Sequence, residues 1–458
     1  MILNEVFERF LTESPVSVMA RALFENALPP ADLDALFEEK AQRQYTRELL
    51  FSQVVDVMSL VVCNSQPTLS AAIRKRAASL PVSRKAVYAK IDNLEPALGA
   101  ALVQFTAGRL TAVLAALGPP AAQPVAGCRL RVIDGNHLPA SEHRLKPLRF
   151  TRAGALPGQS LVAFDPVGGL VTDVVCCECG HAQERSLTPA FLALVAPNDL
   201  WVADRNFCTT PLLTGVAARG AHFVIRQHAL VQPDAVLAPD GDLLECGRCD
   251  TGALSERYVD LSDGDAQKWR LRRVTLRLDA PTRDGDGEMH ILTDLPRDQA
   301  SAAQVAELYR GRWKIEAAFG ELEAALHSEV RALGYPKAAL FAFCVALVAF
   351  NVLAALKAAI RAAHGPTAPE MSGYYLALEV GTASRGLLIA VPVPLWVPFQ
   401  RLSPEQMAAW LVATAKRIRL AEFAKTKRGP KKPRPPRTSG AKVKHLSTKK
   451  VLDEIKKK

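Results

Sequence analysis

Met1 to Phe10 lack the apolar core of a signal peptide and carry Glu5 and Glu8, so export through a cleaved leader is not expected. Nine cysteines, an odd number scattered over 458 residues, lack the density of a disulfide framework and fit a reducing cytosol. No internal repeat marks a solenoid. Acidic residues are scarce at one end of the chain. Lys416 to Lys458 hold 17 Lys and Arg against three Asp and Glu. That surplus exceeds the net charge of +11 and leaves the remainder slightly acidic, at about −3. A basic tail on an acidic body points to a polyanionic partner, most simply nucleic acid, and is equally compatible with a solvated tail.

Long apolar runs are also few. Ala338 to Leu356 is apolar apart from Asn351 and approaches the length of a membrane span. It is rich in alanine and flanked by Lys337, Lys357 and Arg361 without aromatic girdles, so a buried core helix is expected and no membrane contact. The 49% hydrophobic content supports a sizeable core, and the length suggests two or three domains.

Residues 1–120 read as helical, with Leu49 to Val62 as a buried helix. Ser83 is placed to cap a helix that begins Arg84-Lys85 and follows the basic Arg74-Lys75-Arg76, an order compatible with a DNA-binding helical hairpin or with an ordinary basic surface. Gly118-Pro119-Pro120 breaks this region. Strand patterns come next at Leu130–Ile133, Ser160–Phe164, Leu170–Cys176, Leu200–Ala203 and His222–Ile225, with helices near Pro189–Val195 and Pro211–Ala218. The order is α/β with an initial antiparallel meander. Residues 227–298 hold turns (Pro239-Asp240-Gly241, Asp284 to Gly287) and alternating strands (Trp269–Leu278, His290–Thr293), and read as a β-rich insertion. One helix is expected from Ser301 to about Leu326, with further helices to 363 and in 364–424. From 425 the chain is rich in Lys and Pro and reads as a flexible tail, with a short helix possible over Ser447–Lys458.

Two divalent ions held by carboxylates can activate a nucleophile and stabilise a leaving oxygen at a phosphodiester, and three carboxylates from separate elements suffice to hold them. Asp134 ends the strand Leu130-Arg131-Val132-Ile133, and Asp204 ends Trp201-Val202-Ala203. Tyr309, Arg312 and Glu316 fall on one helix face, offering a metal-binding carboxylate, a phosphate-binding fork and a ring. Taken singly, strand-ending aspartates and an Arg/Glu pair four apart are commonplace.

Ile133-Asp134-Gly135, Ala203-Asp204-Arg205-Asn206-Phe207-Cys208-Thr209 and the Tyr309…Arg312…Glu316 helix together resemble the three catalytic blocks of DDE transposases. They most resemble the large bacterial insertion-sequence group named after element four, with its Tyr-Arg-Glu-Lys signature and a β-strand insertion before the Glu. The resemblance covers about 125–360 and includes Ile291 to Pro296. It implies a ribonuclease H-like core over 125–226 and 299–363, the insertion at 227–298, and strand cleavage followed by strand transfer of an insertion sequence. It also implies two Mg²⁺ (or Mn²⁺) ions on Asp134, Asp204 and Glu316. Tyr309 and Arg312 would position phosphate; Arg84 and Lys85 would bind DNA, and Trp269 could stack on an extruded base. The implied partners are terminal inverted repeats and target DNA, bound by a homodimer in the cytoplasm at the nucleoid. One position departs from the signature: its Lys is Glu323 here, so a DNA-binding repressor with impaired chemistry is the alternative.

Other groups carry weaker signals. Cys176/Cys179 and Cys246/Cys249 have zinc-ligand spacing but read as buried small side chains. Cys208 has no His placed to activate it, and His137 and His143 stand near Asp134 without a ligand pattern.

Overall fold

Proline at the first turn and hydroxyl caps set the helix starts of the N-terminal region. Its helices are α1 (Ile2–Glu13), α2 (Pro15–Ala27), α3 (Pro30–Lys40), α4 (Phe51–Val62), α5 (Leu69–Lys75), α6 (Arg84–Asn93) and α7 (Pro96–Leu117). As expected, the Ser83 hydroxyl accepts from the Ala86 amide at the start of α6. The computed structural model describes residues 2–119, 121–138, 141, 145–151, 153–231, 234–235, 243–262, 268–282, 285–426 and 445–457. His143, the Pro239-Asp240-Gly241 turn and the Lys/Pro-rich stretch 427–444 lie outside them.

A sheet comes next, built from β1 (Arg129–His137), β3 (Gln159–Asp165) and β4 (Leu170–Cys177), with the short β2 (Gly154–Leu156) apart from it. Helix α8 (Thr188–Leu192) leads to β5 (Asp199–Ala203), and α9 (Thr210–Ala217) to β6 (His222–Arg226). The order β4-β3-β1-β5-β6 has three antiparallel strands and then two parallel additions, which is the ribonuclease H-like order. Short strands β7 (Asp234–Ala235) and β8 (Leu244–Cys249) precede the long hairpin β9 (Gly252–Ser262) and β10 (Lys268–Leu278), then β11 (Glu288–Thr293). Strand β11 pairs with β6, so the inserted strands extend the core sheet into one ten-stranded surface among the described residues.

A buried arginine bolts the insertion to the helical segment beyond β11. Arg272, 2% exposed, pairs with Glu256 at 2.5 Å and donates to the carbonyls of Leu295 and Ala300, each at 2.8 Å. This fixes the start of α10 (Ala302–Gly311), which leads into α11 (Trp313–Ala325). The single helix expected over this stretch is interrupted at Arg312. There the Arg312 amide bonds the Tyr309 carbonyl and the Ile315 amide bonds the Arg312 carbonyl, both at 3.1 Å. These three-residue spacings tighten the turn.

Helix α12 (Pro336–His364) packs against α2, α4, α6, α7 and β4. It and Pro96–Leu117 are long and apolar enough to cross a membrane by length and composition, but α12 is buried among other elements, as its alanine-rich run suggested. Asn351, its one polar residue in that run, donates to the Val171 carbonyl at 2.7 Å and accepts from the Val171 amide at 2.8 Å. Val171 lies on β4, the edge strand, so the amide closes an otherwise open ladder. Helices α13 (Gly373–Ala390), α14 (Pro404–Ala415) and α15 (Leu420–Phe423) complete this helical region. The short terminal helix is present as α16 (Thr448–Lys456), preceded by β12 (His445–Ser447). It is docked rather than free: β12 pairs in parallel with β2, and Ser447 and Thr448 are buried.

Candidate active site

Strand register brings the two aspartates together. Val132 of β1 lies opposite Val202 of the parallel β5, so Asp134 and Asp204, each two residues on, stand at the same level. Adjacent strands are about 4.8 Å apart. Both side chains point to the face covered by α10 and α11, because Ile133 and Ala203 belong to the apolar layer on the other face. Asp134 accepts from the Gly135 amide at 2.9 Å, and Asp204 accepts from the Asn206 amide at 2.8 Å, capping the turn Arg205–Phe207.

Arg312 ties the third carboxylate to this pair. The residue is 7% exposed, and its guanidinium reaches Asp134 Oδ2 at 3.3 Å and Glu316 Oε1 at 2.8 Å. The guanidinium lies 6.0 Å from the Tyr309 ring centroid and 5.1 Å from that of the exposed Trp313. Tyr309 itself is buried. Asp134, Asp204, Arg312, Glu316 and Tyr309 are therefore brought to one place.

Sequence reasoning missed a fourth carboxylate. Glu184 sits in a short 3₁₀ turn (Glu184–Leu187) after β4, with no strand or helix periodicity to mark it. It packs against Gly135 so closely that a Cβ there would lie 1.9 Å from Glu184 Oε1. A side chain at this position would displace the Glu184 carboxylate. Burial, then the charges of Asp204 and Asp134, push the Glu184 carboxyl up to about 7. Burial also pushes Asp134 up to about 6; Arg312 opposes this, and Asp204 and Glu316 add to it.

Four carboxylates against one guanidinium leave negative charge in excess, and the rise at Asp134 and Glu184 is the electrostatic sign of it. The donors are all oxygen, the set that Mg²⁺ prefers. Among the described residues, no three His, Cys, Asp or Glu side chains yet converge closely enough to hold one ion; Arg312 stands between Asp134 and Glu316 instead. The residues fit a divalent cation by their oxygen donors and their excess negative charge.

The remaining sequence candidates are elsewhere. Arg84 and Lys85 are exposed on α6, beside the exposed Arg74 and Lys75 of α5. Trp269 packs its ring against the apolar layer opposite the carboxylates, and its Nε1 is buried without a hydrogen-bond partner. Glu323 is exposed; it acts on Glu329, whose carboxyl is raised by burial first and Glu323 second. The zinc set does not form: Cys176 Sγ lies 3.6 Å from Cys344 Sγ, Cys179 meets Ser447, and Cys249 meets Thr251. Burial raises Cys208 to about 11, which leaves no thiolate nucleophile at neutral pH. Burial first, then His181, lowers His137, which keeps it neutral.

Residues 129–351 match the family described as a transposase DDE domain, from the first residue of β1 to Asn351 of α12. Over 56 residues, 12% of this chain, the sequence is 46% identical to the putative transposase InsL for insertion sequence element IS186A of Escherichia coli (strain K12). It is equally similar to the transposase for insertion sequence element IS421 of Escherichia coli. Each match covers 15% of the relative's own length. A cryo-EM structure of piggyBac transposase synaptic complex with hairpin DNA aligns over 98% of this chain and 86% of that one, with a TM-score of 0.38 and 10% identity.

Proposed function

We propose that this chain, which matches the transposase DDE domain over residues 129–351, is a DNA transposase that cleaves and transfers the strands of an insertion sequence. The observation that carries the reading is the meeting of Asp134 and Asp204 at one level of adjacent parallel strands, with Glu316 joined to Asp134 through Arg312. When bound, two Mg²⁺ ions would supply nucleophile activation and stabilisation of the leaving oxygen, held by Asp134, Asp204 and Glu316.

The chain's own residues do the positioning. Asp204 is oriented by the Asn206 amide and Asp134 by the Gly135 amide, so both carboxylates are preset. Arg312 neutralises Asp134 and Glu316 in the free protein, and its fork is suited to a phosphate once those carboxylates are otherwise satisfied. Tyr309 flanks the same guanidinium, its ring centroid 6.0 Å away. The exposed Arg84 and Lys85 bind DNA along α6, a homodimer engages the two terminal inverted repeats, and the protein works at the nucleoid in the cytoplasm. Trp269 stacks on a displaced base only after leaving its apolar bed.

Asp204→Asn is expected to lower Mg²⁺-dependent nicking of DNA carrying the element's ends by about 10³-fold or more, because metal-held charge stabilisation is worth several kcal/mol. End binding is expected to persist, and parallel loss of binding would assign Asp204 a structural role. A second reading, a transposase-derived repressor, is favoured by Glu323, an exposed acid where the signature carries a phosphate-binding Lys. End binding by the wild type without any nicking would select it.

A further inference from the structure

The pairing of β1 with the chain before and along β3 continues beyond the carboxylates. His137 lies opposite Gln159, the Leu138 amide donates to the Gly158 carbonyl at 3.1 Å, and Ser141 bridges Ala155 in the same antiparallel register. A two-stranded ribbon therefore issues from the end of the sheet that holds Asp134. Ser141 stands seven residues past Asp134, up to about 24 Å at 3.4 Å per residue. Residues 145–151 are the described part of the ribbon's tip.

This tip is braced. Strand β12 pairs with β2 at its base, α16 packs against the turn Lys146–Leu148, and Leu145 packs against Gly334. Pro147 fixes its own backbone angle. Leu148 is buried, and its carbonyl accepts from the Thr151 amide at 3.1 Å and from the Thr151 hydroxyl at 2.9 Å. Arg149 and Phe150 are left at the apex of that turn. Phe150 is 92% exposed, more than any other large hydrophobic side chain among the described residues. Lys146 and Arg149 are exposed with it, and residues 145–151 contain no acid.

A single exposed hydrophobic on an ordinary surface needs no explanation. Here the ring stands on a fixed turn, among cations, at the end of a ribbon that leaves the sheet beside the candidate active site. An apolar tip flanked by phosphate-binding groups suits a base-pair step: the ring enters between neighbouring bases and the cations meet the phosphates on either side. At about 3.4 Å per base pair, that step lies roughly seven pairs from the carboxylates.

We propose that Phe150 is a wedge that unstacks and bends duplex DNA lying over the candidate active site, with Lys146 and Arg149 on the flanking phosphates. The wedge rests on the transposase reading. It responds to deformability rather than to base identity, because a phenyl ring makes no hydrogen bonds to base edges.

The test uses the full chain in EDTA, where cleavage does not intervene, and a short duplex carrying a fluorescent donor at one end and an acceptor at the other. Energy transfer should rise when the wild type binds, since an inserted side chain kinks a duplex by about 20–90°. At saturating protein, Phe150→Ala should lose that rise and Phe150→Trp should keep it. A central mismatch weakens one step in advance, so the wild type should bind the mismatched duplex about 10-fold or more tightly than the matched one, and Phe150→Ala should bind both alike. Because the ring is exposed, Phe150→Ala should melt with the wild type, which separates a lost bend from a lost fold. A wild type that neither bends DNA nor prefers the mismatch overturns the wedge, as does a Phe150→Ala chain that still does both. Loss of self-association in Phe150→Ala with the bend intact also overturns it and makes the ring a contact between copies. Mg²⁺-dependent nicking by a wild type that does not bend DNA overturns the wedge alone. A bend that depends on Phe150 in a chain that never nicks overturns the transposase reading and leaves the wedge standing.

Discussion

Glu184 places its carboxylate in the space that Gly135 leaves by having no side chain, and its carboxyl is pushed up to about 7 by burial and by Asp204 and Asp134. A buried acid so placed either keeps its proton or shares a cation with its neighbours. On the second alternative, Glu184→Gln should raise the Mg²⁺ concentration needed for half-maximal nicking about 10- to 100-fold, the usual cost of losing a group that supports a metal ligand. Gly135→Ala, which changes no charge, should do the same by displacing the carboxylate. A Mg²⁺ titration in which both variants behave as the wild type would reduce Glu184 to a packing residue. Strand and helix pattern placed Asp134, Asp204 and Glu316 at strand ends and on a helix, but it was the resemblance of their three blocks to those of DDE transposases that singled them out. Glu184 had no such signal, because a 3₁₀ turn shows no period and its proximity to Asp134 is created by tertiary packing.

At the scale of elements, polar residues in apolar settings carry more information than their surroundings. Asn351 is the one polar residue in the longest apolar run, and its amide completes the edge strand at Val171. Asn351→Leu leaves a backbone amide and carbonyl buried without partners. Thermal or urea unfolding should show a loss of about 1–3 kcal/mol for each group left unsatisfied. Stability equal to the wild type would mean that water or strand movement replaces the amide. The sequence shows the Asn but not its partner, which is 180 positions away. The same holds for the insertion: β10 and β11 were readable from alternation and β8 and β9 were not, and the junction of β11 with β6 is a long-range pairing that local pattern does not encode. The break at Arg312 was hidden for another reason, since Tyr309 to Phe319 has helical character throughout and only the 3.1 Å bonds across Arg312 show the tightened turn.

On the scale of the whole molecule, charge separates the body from the chain's basic end, and the structure shows how that end is held. Lys425 pairs with Glu370 on one side, and on the other β12 joins β2 while Thr448 is buried. The basic stretch between Thr426 and His445 is thus tethered at both ends to a body of slightly negative net charge. Lysine and arginine contacts to phosphate raise affinity for any DNA and make it salt-dependent, because each contact releases counterions. Removing residues 427–458 should therefore weaken binding to end-containing and random DNA by similar factors and flatten the salt dependence. The rate of nicking on saturating DNA should change little, since no candidate metal ligand lies beyond Glu316. Filter binding at several salt concentrations on both DNAs checks this. Loss of discrimination between end and random DNA would make the basic end a recognition element and remove that role from Arg84 and Lys85. The loss of β12 gives the deletion a second, separable consequence: β2 loses its parallel partner and keeps only the bridge from Ala155 to Ser141, so melting should fall even without DNA. Removing 427–444 while restoring β12 and α16 through a neutral linker should keep the melting temperature and still flatten the salt slope, which separates the electrostatic contribution of the basic stretch from the structural contribution of its anchor.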